Sequence, residues 1–278
     1  MTTFSISKVY IVESLPPRQY RSGHALYEIL CPVVTDRSLL IEFHSPTSAD
    51  AVRALLQTIA SDAKKNGDLP LLHIECHGND EFLEFSDGST MLYGELYELL
   101  VPLNMATRMR LFVGIAACFG AYLARTLNPM DRSPFAVLMS PSTSVHPDEL
   151  FRSFFTLYQA LLSTLNGDDA LAALQKETAA KKILELVDAM DYFKIAYARY
   201  LHQYCSEKAY WNRAKALRKK AAAERSINRS IQSFVAELRG KEQAYFNSAR
   251  RKYFLLDLFP ENDPLFPATH AELRAMYR

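Results

Sequence analysis

The stretch "LLHIECHGND", residues 71–80, decides how the chain is read. It opens as a short apolar run of the kind a buried strand presents, and within five positions it carries His73, Cys76 and His77 before breaking at Gly78. A strand that ends in such side chains delivers them to the edge of a sheet. What His77 meets at that edge is the question the rest of the sequence has to answer.

Working outward, short apolar or alternating runs recur at "KVYIVES" (8–14), "SLLIEF" (38–43), "LPLLHIEC" (69–76), "MRLFVGIAA" (109–117) and "FAVLMS" (135–140), each the length of a buried strand. Between them lie helical patterns, such as "SADAVRALLQTIASDAKK", with Ser48 or Asp50 placed to cap its start. Strands alternating with helices predict a parallel sheet with crossover helices. One hairpin interrupts the alternation, where "EFLEF" and "STMLY" flank Asp87-Gly88 just after His77. Glycines 78, 88, 94, 114 and 120 concentrate tight backbone geometry in the same region.

Beyond Pro147 the composition changes to long helical patterns with little glycine. Ile183, Leu186, Met190, Phe193, Tyr197, Tyr200 and Tyr204 alternate steps of three and four, a heptad-like seam, and a second run carries Ile227, Ile231, Phe234, Leu238 and Tyr245. These predict a C-terminal helical hairpin or bundle appended to the α/β part, with residues 1–180 as one domain and 181–278 as the other. Charge divides at the same place: 13 Lys and Arg against 20 Asp and Glu in the first part, 19 against 11 in the second, so the two attract.

The chain has 278 residues and is 49% apolar, enough for a large core. Its charge-free segment "LFVGIAACFGAYLA" is well short of the roughly 20 residues needed to span a bilayer, and no secretory signal is read at the N-terminus. The four cysteines, Cys31, Cys76, Cys118 and Cys205, show no Cys-x-x-Cys pair, which suits free thiols in a cytoplasmic protein. No glycine-rich phosphate loop is present, which argues against nucleotide hydrolysis.

Three readings of His77 compete. His73, Glu75 and His77 superficially suggest a metal site, but on a strand the two histidines lie about 13 Å apart, too far for one zinc. No metal or other cofactor is expected. A histidine at a strand end can also simply bond to a loop. The third reading rests on "LFVGIAACFGAYLART", where a buried strand runs to Cys118 and a helix is expected to start at Gly120, so that the helix dipole favours a thiolate. The carboxyl ends of neighbouring parallel strands form the functional edge of such a sheet, which brings His77 and Cys118 to the same edge. Cys118 is then a nucleophile, His77 its acid and base, and the backbone N–H groups of Gly78 and Cys118 are the oxyanion donors.

The ordered set of a strand ending in His-Gly, the hairpin "FLEFSDGSTML", the helix "YGELYELL" and a strand ending in Ala-Cys-x-Gly resembles the caspase-like cysteine peptidases, and among them most resembles the bacterial CHAT branch. The likeness continues through "FAVLMSPSTSVHPDELFRSFFTLYQALLSTLNGDDALAAL" and spans roughly residues 1–180. The resemblance implies a caspase-like fold, catalysis by His77 and Cys118, and Gly78 as oxyanion donor. The chain departs from the family in carrying Ala116 where an acidic residue often precedes Ala-Cys, and in its helical appendage. Arg-Ser-Gly at 21–23 resembles the caspase segment whose arginine receives an acidic side chain, so Arg21 either holds a substrate carboxylate or lies on the surface beside a helix start. The loop after the fifth strand, Ser140 to Ser144, is expected to form the other wall of the substrate pocket, with Ser140 and Ser142 as its substrate contacts.

The function expected is a cytoplasmic cysteine endopeptidase that cuts a protein partner encoded nearby, within regulated proteolysis or bacterial defence, its appendage recruiting the partner or restraining the site. The alternative is a catalytically silent caspase-like module acting through the appendage. Residues 211–229, "WNRAKALRKKAAAERSINR", offer a basic helix for nucleic acid, although a charged helix face is more often merely solvated. No membrane partner is expected.

Overall fold

The stretch containing His73 lies at the centre of a six-stranded sheet in the computed structural model of the chain, which describes residues 6–36, 39–177, 182–223 and 229–276. The strands are β1 (Lys8–Glu13), β2 (Leu40–His44), β3 (Pro70–Glu75), β4 (His77–Gly78), β5 (Phe82–Glu84), β6 (Thr90–Leu92), β7 (Phe112–Ala116), β8 (Val137–Ser140) and β9 (Glu185–Asp188). The main sheet has the order β2-β1-β3-β7-β8-β9, parallel throughout except for β9, and β4-β5-β6 form a small antiparallel sheet. Helices α1 (Ser22–Asp36), α2 (Ala49–Asn66), α3 (Tyr93–Ala106), α4 (Pro147–Thr164) and α5 (Gly167–Glu177) accompany the sheet. The fold is therefore mixed α/β, a mostly parallel sheet flanked by helices, with further helices following it.

The five strands read from the apolar runs are present as β1, β2, β3, β7 and β8; four of them bury nearly every side chain, and β2, at the sheet edge, is half-buried. The first residue assigned to the second run, Ser38, lies outside the described residues. On one sheet face Val9, Ile11, Leu71, Phe112, Val137 and Met139 join Leu26, Leu30 and Val34 of α1 and Phe154, Leu157 and Leu161 of α4 in one core. On α2, Val52, Leu56 and Ile59 are buried, and Ser48 caps the helix by accepting from the Ala51 N–H at 3.1 Å.

Two elements differ from the sequence reading. The heptad-like seam from Ile183 predicts a helix, whereas Glu185–Asp188 form β9, paired antiparallel to β8 from Val137↔Asp188 to Ser140↔Glu185. Pairing with an otherwise open sheet edge outweighs the helical spacing there. The segment after Cys118 is a 3-10 helix, Gly120–Thr126, preceded by Phe119 at φ 61°, and not an α-helix. Seven residues of 3-10 geometry supply little of the macrodipole expected beside the thiol.

By contacts the chain forms two compact units, one of Met1–Leu127 with Ser133–Ala189, the other of Asn128–Arg132 with Met190–Arg278. The boundary expected between residues 180 and 181 lies outside the described residues. The second unit holds α6 (Ala189–Tyr204), α7 (Glu207–Ala223), α8 (Ile231–Gly240), α9 (Glu242–Tyr253) and α10 (His270–Ala275), α6 entering it from Met190. Its core is aromatic: Phe193 has ring centroids 4.9 Å from Phe254, 5.2 Å from Tyr253 and 5.5 Å from Tyr197. Buried Glu242 gathers Tyr210, His270 at 2.7 Å and Arg274 at 3.3 Å. Ile227 and part of the basic run 211–229 lie outside the described residues. Among the described residues, no helix is long and apolar enough to cross a membrane.

Candidate active site

Strand register builds the site. In the parallel pairing of β3 with β7, Glu75 lies opposite Ala116, so the two chains leave the sheet side by side and reach His77 and Cys118 two residues later. A cavity of about 290 Å³ opens at these strand ends, lined by Glu75, Cys76, His77, Ala116, Ala117 and Cys118 from the strand tips, Ser22 from the start of α1, and Val145, Pro147, Asp148 and Leu150 from the approach to α4. His77 is exposed and Cys118 half-buried. Both side chains read as a dyad face one cavity.

Gly78 holds the two segments together by lacking a side chain. A Cβ at this position would stand 2.7 Å from the Cys118 carbonyl oxygen and 3.2 Å from the Ala117 Cβ, so only glycine lets the histidine segment lie against the cysteine segment. The missing side chain thus admits the neighbouring backbone. Asn79 N–H donates to the Phe82 carbonyl at 3.1 Å, and Gly78 pairs with Leu83 in the same ladder. Hydrogen-bonded and non-hydrogen-bonded pairs alternate in antiparallel sheets, so the Gly78 N–H points away from β5. Tyr93, at the start of α3, completes the clamp: its hydroxyl lies 2.9 Å from the Asn79 carbonyl and 3.0 Å from that of Phe119. Burial pushes its phenol up, so it remains a donor.

The loop after β8 meets the cysteine from the other side. Phe119 N–H donates to the Thr143 carbonyl at 3.3 Å and Ala121 N–H to that of Pro141 at 3.0 Å. The Cys118 Sγ lies 3.7 Å from Ser144 Oγ and 3.9 Å from the Val145 carbonyl. Among the described residues no hydrogen bond joins the thiol to His77; such pairs are commonly long in the absence of substrate and tighten when it binds. Cys76 also lines the cavity, but it is buried, and burial followed by the charge of Glu75 pushes its thiol up, which disfavours the thiolate.

The remaining sequence candidates fall elsewhere. Arg21 forms an ion pair with the fully buried Glu13 and donates to Ser45 at 3.0 Å; its neighbour Ser22 lines the cavity. Ser140 is fully buried and donates to the Ile115 carbonyl at 2.8 Å, while Ser142 donates to Glu185 at 2.6 Å. Neither serine is among the residues lining the cavity, and the loop presents Ser144 and Val145 to the thiol in their place.

Sequence reasoning did not single out a buried polar chain beneath the cavity. Glu75 accepts from the Ser22 hydroxyl, the fully buried His73 has Nε2 at 3.5 Å from Glu75 Oε2, and His73 Nδ1 lies 3.0 Å from the Tyr158 hydroxyl. Tyr158 reaches this place because Gly114 faces it; a Cβ there would stand 1.9 Å from the phenol oxygen. Burial and then the charge of Glu75 push the Tyr158 phenol well up. The available signal was period-2 alternation, which places residues 73, 75 and 77 on one face.

No family model matches the sequence, and no curated protein matches it. Among solved structures the chain is similar to the crystal structure of caspase-1 from Spodoptera frugiperda, at 12% identity with a TM-score of 0.44, covering 66% of this chain and 87% of that one.

Proposed function

We propose that the chain is a cysteine endopeptidase in which Cys118 attacks the peptide carbonyl and His77 moves the protons. The observation that carries this reading is the shared cavity at the tips of adjacent parallel strands, with His77 and Cys118 both in its wall. His77 takes the thiol proton as the sulfur forms a bond to the carbonyl carbon. The oxyanion that develops is met by the N–H of Gly78, which faces away from its hairpin partner, with the N–H of Cys118 as the second donor. Collapse breaks the C–N bond, and the amine leaves with the proton held by His77. Water, deprotonated by His77, then hydrolyses the thioester and returns the thiol.

The resemblance of the ordered segments to the CHAT branch supports a protein substrate, encoded nearby and cut within regulated proteolysis or defence in a bacterial cytoplasm. The second unit, carrying the basic helices, recruits that partner or restrains the site, and its opposite charge makes the activity salt-dependent. The test is co-expression with neighbouring genes followed by mass spectrometry. Fragments are expected with the native chain and none with Cys118→Ala, while His77→Ala slows cleavage by about 10²- to 10⁴-fold. Undiminished fragments from folded Cys118→Ala would remove the dyad.

A further inference from the structure

We propose that the cavity beside Cys118 selects a lysine or arginine side chain before the scissile bond, with Glu75 as its counter-charge. The proposal rests on the peptidase reading and names the substrate class of that same site. It reverses the acidic preference that the Arg-Ser-Gly segment suggested.

Three observations carry it. The first is position. Glu75 lines the cavity while remaining only 9% exposed, so its side chain is largely shielded from bulk water. It ends β3, two residues before His77 and about 7 Å along the chain from the level of the dyad, a depth suited to a long side chain that carries its charge on a flexible stem. Ala116, directly opposite Glu75 in the register, also lines the cavity, and its single methyl group leaves the space beside the carboxylate open.

The second is the set of partners. One Glu75 oxygen accepts from the Ser22 hydroxyl, a neutral donor. The other has His73 Nε2 at 3.5 Å, and that nitrogen has no hydrogen-bond partner in its fully buried setting. Among the described residues no guanidinium or ammonium reaches Glu75; the nearby Arg21 is committed to Glu13 and Ser45. A cationic side chain entering the cavity supplies the charged donor that the carboxylate lacks.

The third is what an acidic side chain would find. Among the described residues lining the cavity there is no Lys or Arg, while Asp148 adds a second carboxylate at the mouth. Two helices begin there, and a helix N-terminus ordinarily favours an anion. At α1 that place is taken, since Glu13 accepts from the N–H groups of Gly23 at 2.9 Å and His24 at 3.1 Å. At α4 the first turn carries Asp148 and Glu149. An acidic substrate thus finds one helix start already holding a carboxylate and the other carrying two in its first turn, where the Asp148 N–H is bonded to the His146 ring.

The test uses the full chain and three peptidyl acyloxymethyl ketones that differ only in the residue adjoining the ketone: lysine, aspartate or leucine. In each, the Cys118 sulfur displaces the acyloxy group as a carboxylate and a thioether remains, which mass spectrometry reads as a labelling rate at Cys118. The lysine reagent is expected to label at least about tenfold faster than the other two. Glu75→Gln is expected to lower the ratio of the lysine rate to the leucine rate by about tenfold, whatever the change in the leucine rate itself. Aspartate or leucine reagents matching or exceeding lysine in the native chain would overturn the proposal and leave the peptidase reading standing. If no reagent labels Cys118 faster than a small cysteine thiol in solution, the peptidase reading fails and the proposal falls with it. The comparison on the native chain decides between these outcomes even where Glu75→Gln does not fold.

Discussion

At the scale of single residues, the site depends on what Gly78 lacks and on what Tyr93 donates. A methyl group at 78 must displace the Cys118 carbonyl, so Gly78→Ala is expected to destabilise the fold by about 1–3 kcal/mol and to slow labelling of Cys118 by the best reagent in the ketone series. Urea denaturation and labelling rates measured together check this; an alanine variant with native stability and rate would show that the two segments do not touch as described. Tyr93→Phe removes only the hydroxyl shared by the Asn79 and Phe119 carbonyls and is expected to cost about 1 kcal/mol. His77, Gly78 and Cys118 were legible as candidates because each ends an apolar run, and a run's end is visible in one dimension. The roles of Glu75 and Ser22 were not, because lining a cavity depends on which strand lies alongside and at what offset. The partner of Arg21 was hidden for the same reason: Glu13, eight residues earlier, belongs to another element and meets the guanidinium only once β1 and α1 have folded back on each other.

Elements carry the next level of consequence. Helix α4 packs its apolar stripe on the sheet and also delivers Tyr158 through the gap left by Gly114 to His73. Tyr158→Phe keeps the ring and removes the phenol, leaving the buried His73 Nδ1 without its partner, so a loss of about 1–3 kcal/mol is expected in urea denaturation. A change below about 0.3 kcal/mol would mean that the contact adds nothing to stability. The parallel strands and the Asp87-Gly88 hairpin were readable because buried strands are predominantly apolar and tight turns have a narrow sequence repertoire. Strand β9 was not readable, since Leu186 and Met190 fit a three-four spacing equally well and the deciding factor was the open edge of β8. The 3-10 segment after Cys118 was misread as an α-helix because its length is set by the loop above it, where Ala121 bonds to Pro141, and not by local propensity.

At the scale of the whole chain, the division into units does not follow sequence order. Residues Asn128–Arg132 belong with the C-terminal helices, where Arg132 grips Asp257 through two hydrogen bonds at 2.9 and 2.6 Å and Lys252 meets Asp131 at 2.8 Å. The Arg132 guanidinium holds the Asp257 carboxyl below the usual aspartate range. A carboxyl depressed in the folded state contributes stability that is present above its unfolded value and lost as pH falls through the folded one. Arg132→Ala is therefore expected to cost roughly 0.2–1 kcal/mol at neutral pH, a surface-pair figure, with the difference shrinking below about pH 3.9 and vanishing below the folded-state value. Thermal melts of both chains across that range check the sign; a difference that grew on acidification would contradict it. The placement of β9 also sets where the chain can be cut. A chain ending at Ala189 retains the antiparallel strand, whereas one ending at residue 180 leaves β8 as a bare edge and is expected to melt lower and to aggregate. Charge asymmetry was legible in the sequence, but the return of residues 128–132 to the later helices was not, because its ion pairs span more than 120 positions.

The phenol of Tyr93 has a single hydrogen and two carbonyls almost equidistant from it. It can satisfy only one of them fully at any instant. A donor that either carbonyl can take up tethers the segments bearing imidazole and sulfur without committing to one acceptor, a swivel in place of a rivet that suits a carbonyl carbon passing from planar to tetrahedral and back.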